Sequence, residues 1–153
     1  MARGRTDVRA GDERNGDRPI QASSPAPGHT TAAFTIPGRG QPKQRPGSSD
    51  RRRTRYNPGR TRGYQESVGW AAKVAHVKPI PRPHRVAVTL TFFGAAGDVD
   101  NLAKSVLDGL NTIAYDDDSQ IDELHVFRIR SVENPRCEVL IERIEALVEV
   151  TPP

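Results

Sequence analysis

RVAVTLTFFGAAGDVDNLAKSVLDGLNTIAYDDDSQIDELHVFRIR, residues 85–130, changes its hydrophobic period twice, and those changes decide the fold class. The first nine residues are β-branched and aromatic with both alternate faces apolar, the pattern of a strand buried on both sides. Over residues 101–111 the period becomes helical: Leu102, Val106 and Leu110 fall at i, i+4 and i+8 in one stripe. Asp98 or Asp100 is placed to cap that helix and Asn111 to end it. Residues 121–130 again read as extended. Alternating strands and helices put the body in the mixed α/β (α+β) class.

Outward from this segment the signals weaken. Ala33, Phe34, Thr35 and Ile36 predict a first strand running into a basic loop. Tyr64, Val68, Ala71, Ala72 and Ala75 recur at helical spacing over residues 64–76, a helix weakened by Gly69. The three prolines of KPIPRPH, residues 78–84, cannot continue it. Residues 137–144 read as a strand, although EVLIERIEALVEV would equally suit a helix. Residues 1–32 mix Arg, Asp, Gly, Pro and Ser without apolar periodicity, so burial cannot offset the entropy of ordering them, and a disordered basic extension is expected. A folded domain over 33–146 and a tail over 147–153 complete the division.

The bulk numbers agree. Only 35% of the 153 residues are hydrophobic and 5% aromatic, with 13 Gly and 13 Pro, so one packed core does not fill the whole length. Charge is divided: residues 1–64 hold 14 Lys and Arg against 5 Asp and Glu, and residues 65–153 hold 9 against 14. A basic arm ahead of an acidic body points to a polyanionic partner, nucleic acid foremost. Arg51, Arg52, Arg53, Arg55, Arg60 and Arg62, interleaved with Tyr56 and Tyr64 and preceded by Lys43 and Arg45, suit phosphate contacts plus base stacking; a solvated loop is the plainer alternative. A single cysteine, Cys137, excludes an intrachain disulfide and a multi-cysteine zinc site and fits a reducing, cytoplasmic setting. The charged N-terminus lacks the apolar run of a signal peptide, and no stretch is apolar for long enough to span a membrane.

Against this basic background, residues 97–121 hold six aspartates and one cation, Lys104. Asp100, Lys104 and Asp108 repeat at i, i+4 and i+8, so an ordinary account has Asp100 capping the helix and Lys104 paired with Asp108, at a few tenths of a kcal/mol per pair. That account leaves Asp98 and the run Asp116, Asp117, Asp118 unexplained, because crowded carboxylates repel unless they face water or a cation. If the strand from residue 121 runs beside the strand 86–93, the end of the first and the start of the second are expected to meet, bringing Asp98, Asp100 and Asp118 together. Such oxygen donors match Mg²⁺, which takes a few carboxylates and fills its other positions with water and phosphate. An EF-hand does not fit: counted from Asp98, its sixth and twelfth positions are Ala103 and Gly109.

The residues Asp98-Val99-Asp100-Asn101-Leu102-Ala103-Lys104, then Asp108-Gly109-Leu110-Asn111, then Asp117-Asp118-Ser119-Gln120-Ile121 resemble the pattern of the RusA-type Holliday junction resolvases, small endonucleases common in bacteria and their phages. Phe34-Thr35-Ile36-Pro37 and Gln41-Pro42-Lys43-Gln44-Arg45-Pro46 are similar to that family's opening strand and Pro/Arg loop. The resemblance implies a small mixed sheet with helices packed on it, and a Mg²⁺-dependent crossover junction endodeoxyribonuclease acting on four-way DNA junctions in recombination and repair. It implies metal binding by Asp98, Asp100 and Asp118, an essential cation in Lys104, and supporting acidic positions in Asp108 and Asp117. A homodimer is implied too, since two opposed strands must be nicked symmetrically, and a prophage origin is in keeping. Gly97 departs from the pattern, standing where proline often precedes the first aspartate. A non-catalytic branched-DNA-binding protein of the same fold is the competing reading. Phe92, Phe93 and Val106 are expected in the core, with a dimer surface as the alternative; Trp70 and Cys137 are expected in the core, and the four scattered histidines carry no ligand spacing.

Overall fold

The structure, a computed structural model, describes residues 31–43, 58–130 and 133–146. Of the expected extension 1–32, residues 1–30 lie outside the described residues, as do the tail from 147 and Arg45, Arg51, Arg52, Arg53 and Arg55; Thr31 and Ala32 belong instead to the first strand, paired with Glu142 and Ile141. In chain order the elements are β1 (Thr31–Pro37), α1 (Pro58–Val74), β2 (Arg85–Phe93), α2 (Val99–Leu110), a single 3₁₀ turn (Asp118–Gln120), β3 (Ile121–Ile129) and β4 (Arg136–Ile144).

The four strands form one mixed sheet in the order β1-β4-β2-β3. β4 runs antiparallel to both β1 and β2, and β3 runs parallel to β2 at the outer edge. α2 is the crossover that a parallel neighbour requires. Val86, Val88, Leu90 and Phe92 of β2 are fully buried and join Ile36, Cys137, Val139 and Ile141 from the sheet with Val68, Ala72, Leu102, Val106 and Leu110 from the helices in one core. Thr89, Thr91 and Phe93, on the opposite face of β2, are only half-buried. The strand is thus closed on one side and partly open on the other, less buried than its apolar pattern indicates.

β4 settles as a strand because it lies between β1 and β2, where ladder hydrogen bonds on both sides outweigh the competing helical pattern; Cys137, Val139 and Ile141 alternate into the core. Burial and the nearby Glu138 push the Cys137 thiol up to about 12, so it behaves as a small apolar side chain. α1 starts six residues earlier than its apolar spacing predicts, at Pro58, a residue tolerated in a first helical turn. Arg60 and Arg62 therefore stand on a helix and not in a loop.

Gly69 weakens α1 in isolation but is where the two helices touch. A methyl at Gly109 would come within 2.9 Å of both the Gln65 carbonyl and Val68, and one at Gly69 within 2.9 Å of the Ile113 side-chain tip. Trp70, one residue along, is not in the core: it is 69% exposed, because the close approach at Gly69 turns the next position outward. Phe93 is also only partly covered, with the Arg136 guanidinium 3.6 Å above its ring.

Candidate active site

β2 ends at Phe93, and the chain turns through Gly94 to Gly97 into α2. Gly97 has φ of +101°, and a Cβ there would sit 3.0 Å from Pro42, so the position needs glycine on both counts. Asp98 takes the N-cap position in extended geometry, its carbonyl accepting from the Leu102 N–H at 3.0 Å, yet its carboxylate makes no capping hydrogen bond. Among the described residues only the Asn101 amide approaches it, at 3.4 Å. Asp98, Asp100 and Lys104 are all exposed. The expected capping account therefore fails for the Asp98 side chain.

The expected Lys104–Asp108 pair does not form either. Asp108 accepts from Lys43 Nζ at 2.5 Å and from Gln65 Nε2 at 3.2 Å. Among the described residues no hydrogen bond or ion pair engages Lys104. Two clamps hold the acidic turn in place. On one side the loop after β1 is strapped over α2: Gly40 is packed on Phe92, Pro42 on Gly97, and the Lys43 N–H donates to the Asn101 carbonyl at 2.9 Å. On the other side Arg128 of β3 donates to the Gly97 carbonyl at 2.5 Å.

Asp118 stands elsewhere. β3 pairs with β2 in parallel from Val86↔Ile121 to Phe93↔Ile129, so the start of β3 lies beside the start of β2. Asp98 follows the last of these pairs and Asp118 precedes the first; with α2 twelve residues long, the two are separated by on the order of 20 Å. This corrects the expectation that Asp98, Asp100 and Asp118 converge: a parallel crossover carries the chain back along the helix before the next strand begins. Among the described residues of one chain, no group of three Asp, Glu, His or Cys side chains is close enough to hold a metal ion.

The run 116–118 has local partners. Asp116 accepts from the Arg82 N–H at 3.1 Å. Asp117 caps the 3₁₀ turn, accepting from the Ser119 N–H at 2.8 Å while its own N–H donates to Gln120 Oε1 at 3.0 Å, a capping box. The Ser119 hydrogen bonds, with Arg82 as counter-charge 3.3 Å away, hold the Asp117 carboxyl below the usual carboxylate range. Gln120, 1% exposed, is a tie the sequence reading overlooked: its amide donates to the Ile80 carbonyl at 3.1 Å and the His84 carbonyl at 3.0 Å. The signal was the Asp-x-x-Gln spacing at 117–120. Next to it, Arg85 and Asp122 form an ion pair that lowers the Asp122 carboxyl. Tyr115 is fully buried and donates to the Leu107 carbonyl at 2.9 Å; burial, with Asp118 and Asp108 nearby, raises its phenol and keeps it a neutral donor.

This set of parts lies within residues 37–142, which match the model of the family described as Endodeoxyribonuclease RusA. The chain belongs to the RusA endodeoxyribonuclease family. It is also similar to the uncharacterized protein YqaN of Bacillus subtilis (strain 168), at 49% identity over 49 residues, which is 32% of this chain and 34% of that protein. For a RusA-family chain, the two exposed carboxylates Asp98 and Asp100 at one helix start, the first of them not used as a cap, fit the donor chemistry of a hard divalent cation. Of the DNA-contact candidates, Lys43 is engaged with Asp108 and Arg62 with Glu66 at 3.2 Å, and Arg60 is exposed. No helix among the described residues is long and apolar enough to cross a membrane.

Proposed function

We propose that this chain is a Mg²⁺-dependent, structure-selective endodeoxyribonuclease that resolves four-way DNA junctions by paired nicks, as a homodimer, in recombination and repair. Family membership supports the nuclease class, and one observation carries the site: Asp98, Asp100 and Lys104 stand exposed together at the start of α2, inside the matched span. Asp98 and Asp100 would hold the cation, with Asp118 as a third ligand. Since one chain keeps Asp118 at the far end of α2, the third carboxylate comes from the second copy of a two-fold dimer. Bound Mg²⁺ supplies a lowered water pKa and neutralisation of phosphate charge.

The protein's own groups do the rest. Lys104, one turn beyond Asp100, presents an ammonium to the scissile phosphate and the departing oxygen. Pro42 and Arg128 keep the Gly97 turn from shifting, which fixes where the two carboxylates point. Arg60 on α1 and the arginines ahead of it draw the DNA backbone in, so affinity falls steeply with salt. Two copies related by a two-fold axis match the symmetry of the junction.

The test is a synthetic four-way junction incubated with the protein, with and without Mg²⁺. Symmetric nicks should appear only with the metal, and Asp100→Asn should abolish them while binding persists. Asp100→Asn and Asp118→Asn chains, each inactive alone, should regain nicking when mixed, because one of the two sites in the mixed dimer is whole. Binding without cleavage across a full metal titration would instead support the branched-DNA-binding reading, which is favoured by the lack of a three-carboxylate group among the described residues of one chain.

A further inference from the structure

We propose that the groove between α1 and α2 is a pocket for one unpaired base of the DNA, with the Trp70 indole as its stacking platform and the Asp108 carboxylate as the group that reads the base edge. The groove encloses about 360 Å³, at the small end of the range for sites that hold small molecules. Trp70, Arg62, Gln65, Glu66, Lys73 and Asp108 line it. Trp70 is 69% exposed, more than any other large hydrophobic side chain among the described residues. An aromatic face held in water beside cations is the arrangement on which proteins stack single-stranded bases.

The polar groups of the groove suit a nucleotide. Both hydrogen bonds given to Asp108, from Lys43 Nζ and Gln65 Nε2, fall on its Oδ2. Oδ1 is thereby left to accept from an exocyclic amine, the contact that carboxylates make with cytosine N4. The cations then divide into two sets. Arg62 answers Glu66 at 3.2 Å and Lys43 answers Asp108. Lys73 on the rim, and Arg60 nearer the start of α1, are exposed and form no ion pair with another described residue, so they can meet the phosphates on either side of the base. The apolar face of a partner helix would bury these charges without compensation, whereas a nucleotide brings an amine to the carboxylate and phosphate to the cations.

The pocket rests on the nuclease reading and gives it a substrate contact away from the cut. Asp100, Lys104 and Asp108 stand on successive turns of α2, so Asp108 lies about 12 Å along the axis from Asp100. At about 3.4 Å per stacked nucleotide, that is roughly three or four nucleotides from the scissile phosphate. An intact duplex keeps its bases stacked and out of reach. A branch point, where pairing is interrupted, yields a base at low cost, so capture by Trp70 would favour branched over linear DNA.

Trp70 is the single tryptophan of the chain, and its emission therefore reports on the pocket directly. The full chain is titrated, with metal omitted, with a four-way junction, the same junction carrying abasic sites around the branch point, and a linear duplex. The intact junction should quench the emission, and the abasic junction and the duplex should leave most of it. Binding to a labelled junction should weaken about tenfold in Trp70→Ala and far less in Trp70→Phe, which keeps a ring. Junctions with cytosine around the branch point should bind more tightly than those with thymine, and Asp108→Asn should remove the difference. Quenching that abasic sites do not relieve, or a Trp70→Ala affinity equal to that of the wild type, overturns the pocket and leaves the nuclease standing. Equal binding of cytosine and thymine junctions overturns the role given to Asp108. Quenching by deoxycytidine monophosphate at the concentrations where the junction acts would make the ligand a free nucleotide and overturn the assignment to DNA. Base-dependent quenching in a chain that never cuts junctions keeps the pocket and sinks the nuclease.

Discussion

Lys43 and Asp108 are 65 residues apart in sequence and 2.5 Å apart in space, and their contact ties the loop after β1 to the last turn of α2. The pair is partly exposed, with side-chain accessibilities of 38% and 28%, so solvent screens it. A double-mutant cycle with Lys43→Met and Asp108→Asn should give a coupling energy of about 0.5–1 kcal/mol by chemical denaturation. Asp108→Asn should also weaken junction binding and leave saturated cleavage nearly unchanged. A coupling near zero would mean that the backbone contacts of the loop hold it alone.

The helix crossing predicts an asymmetry between two glycines. Alanine is the better helix former by up to about 1 kcal/mol, yet at Gly109 its methyl would meet the fixed Gln65 carbonyl and Val68 at 2.9 Å. Gly109→Ala should destabilise by about 1–3 kcal/mol. Gly69→Ala meets the movable tip of Ile113 and should cost less. Comparing the two denaturation midpoints decides the matter, and equal losses would contradict the packing described.

Lys104 is the cation whose removal should separate catalysis from binding. Lys104→Met should lower the single-turnover rate at saturating junction by about 100-fold, while junction affinity changes little because many other cations share the phosphate contacts. Lys104→Arg, which keeps the charge but alters its reach, should recover only part of the rate. An equal loss of rate and affinity would make Lys104 an ordinary DNA contact.

Acid should loosen the end of the sheet where β2 and β3 begin. Asp117 and Asp122 both have carboxyls held below their ordinary value in the fold, by the Ser119 hydrogen bonds and by the Arg85 pair respectively. A lowered folded pKa means the unfolded chain protonates first as pH falls. The stability these groups contribute is thus complete above the ordinary carboxylate value near 4 and is lost progressively below it. Thermal unfolding followed from pH 7 down to 2 should show Tm falling over that lower range, and Asp122→Asn should flatten the fall. A slope unaffected by the substitution would place the acid sensitivity elsewhere.

The elements of this protein were legible in its sequence wherever the signal is local. Period-two and period-3.6 apolar patterns placed β1, β2, α2 and β3 to within a residue or two, because side-chain direction repeats with the backbone that carries it. The Asp98-to-Lys104 cluster was equally legible, since one helix start sets all three positions. What depended on distant chain segments was not. The pairing direction of β2 and β3 decided that Asp118 lies a helix length from Asp98; Lys43, from a loop 65 residues away, took the Asp108 that local spacing had assigned to Lys104; and a glycine contact between two helices turned Trp70 to solvent. Sequence spacing reports what a single element can align, whereas strand register and helix crossing are chosen by the packing of the whole core, and only the tertiary structure records that choice.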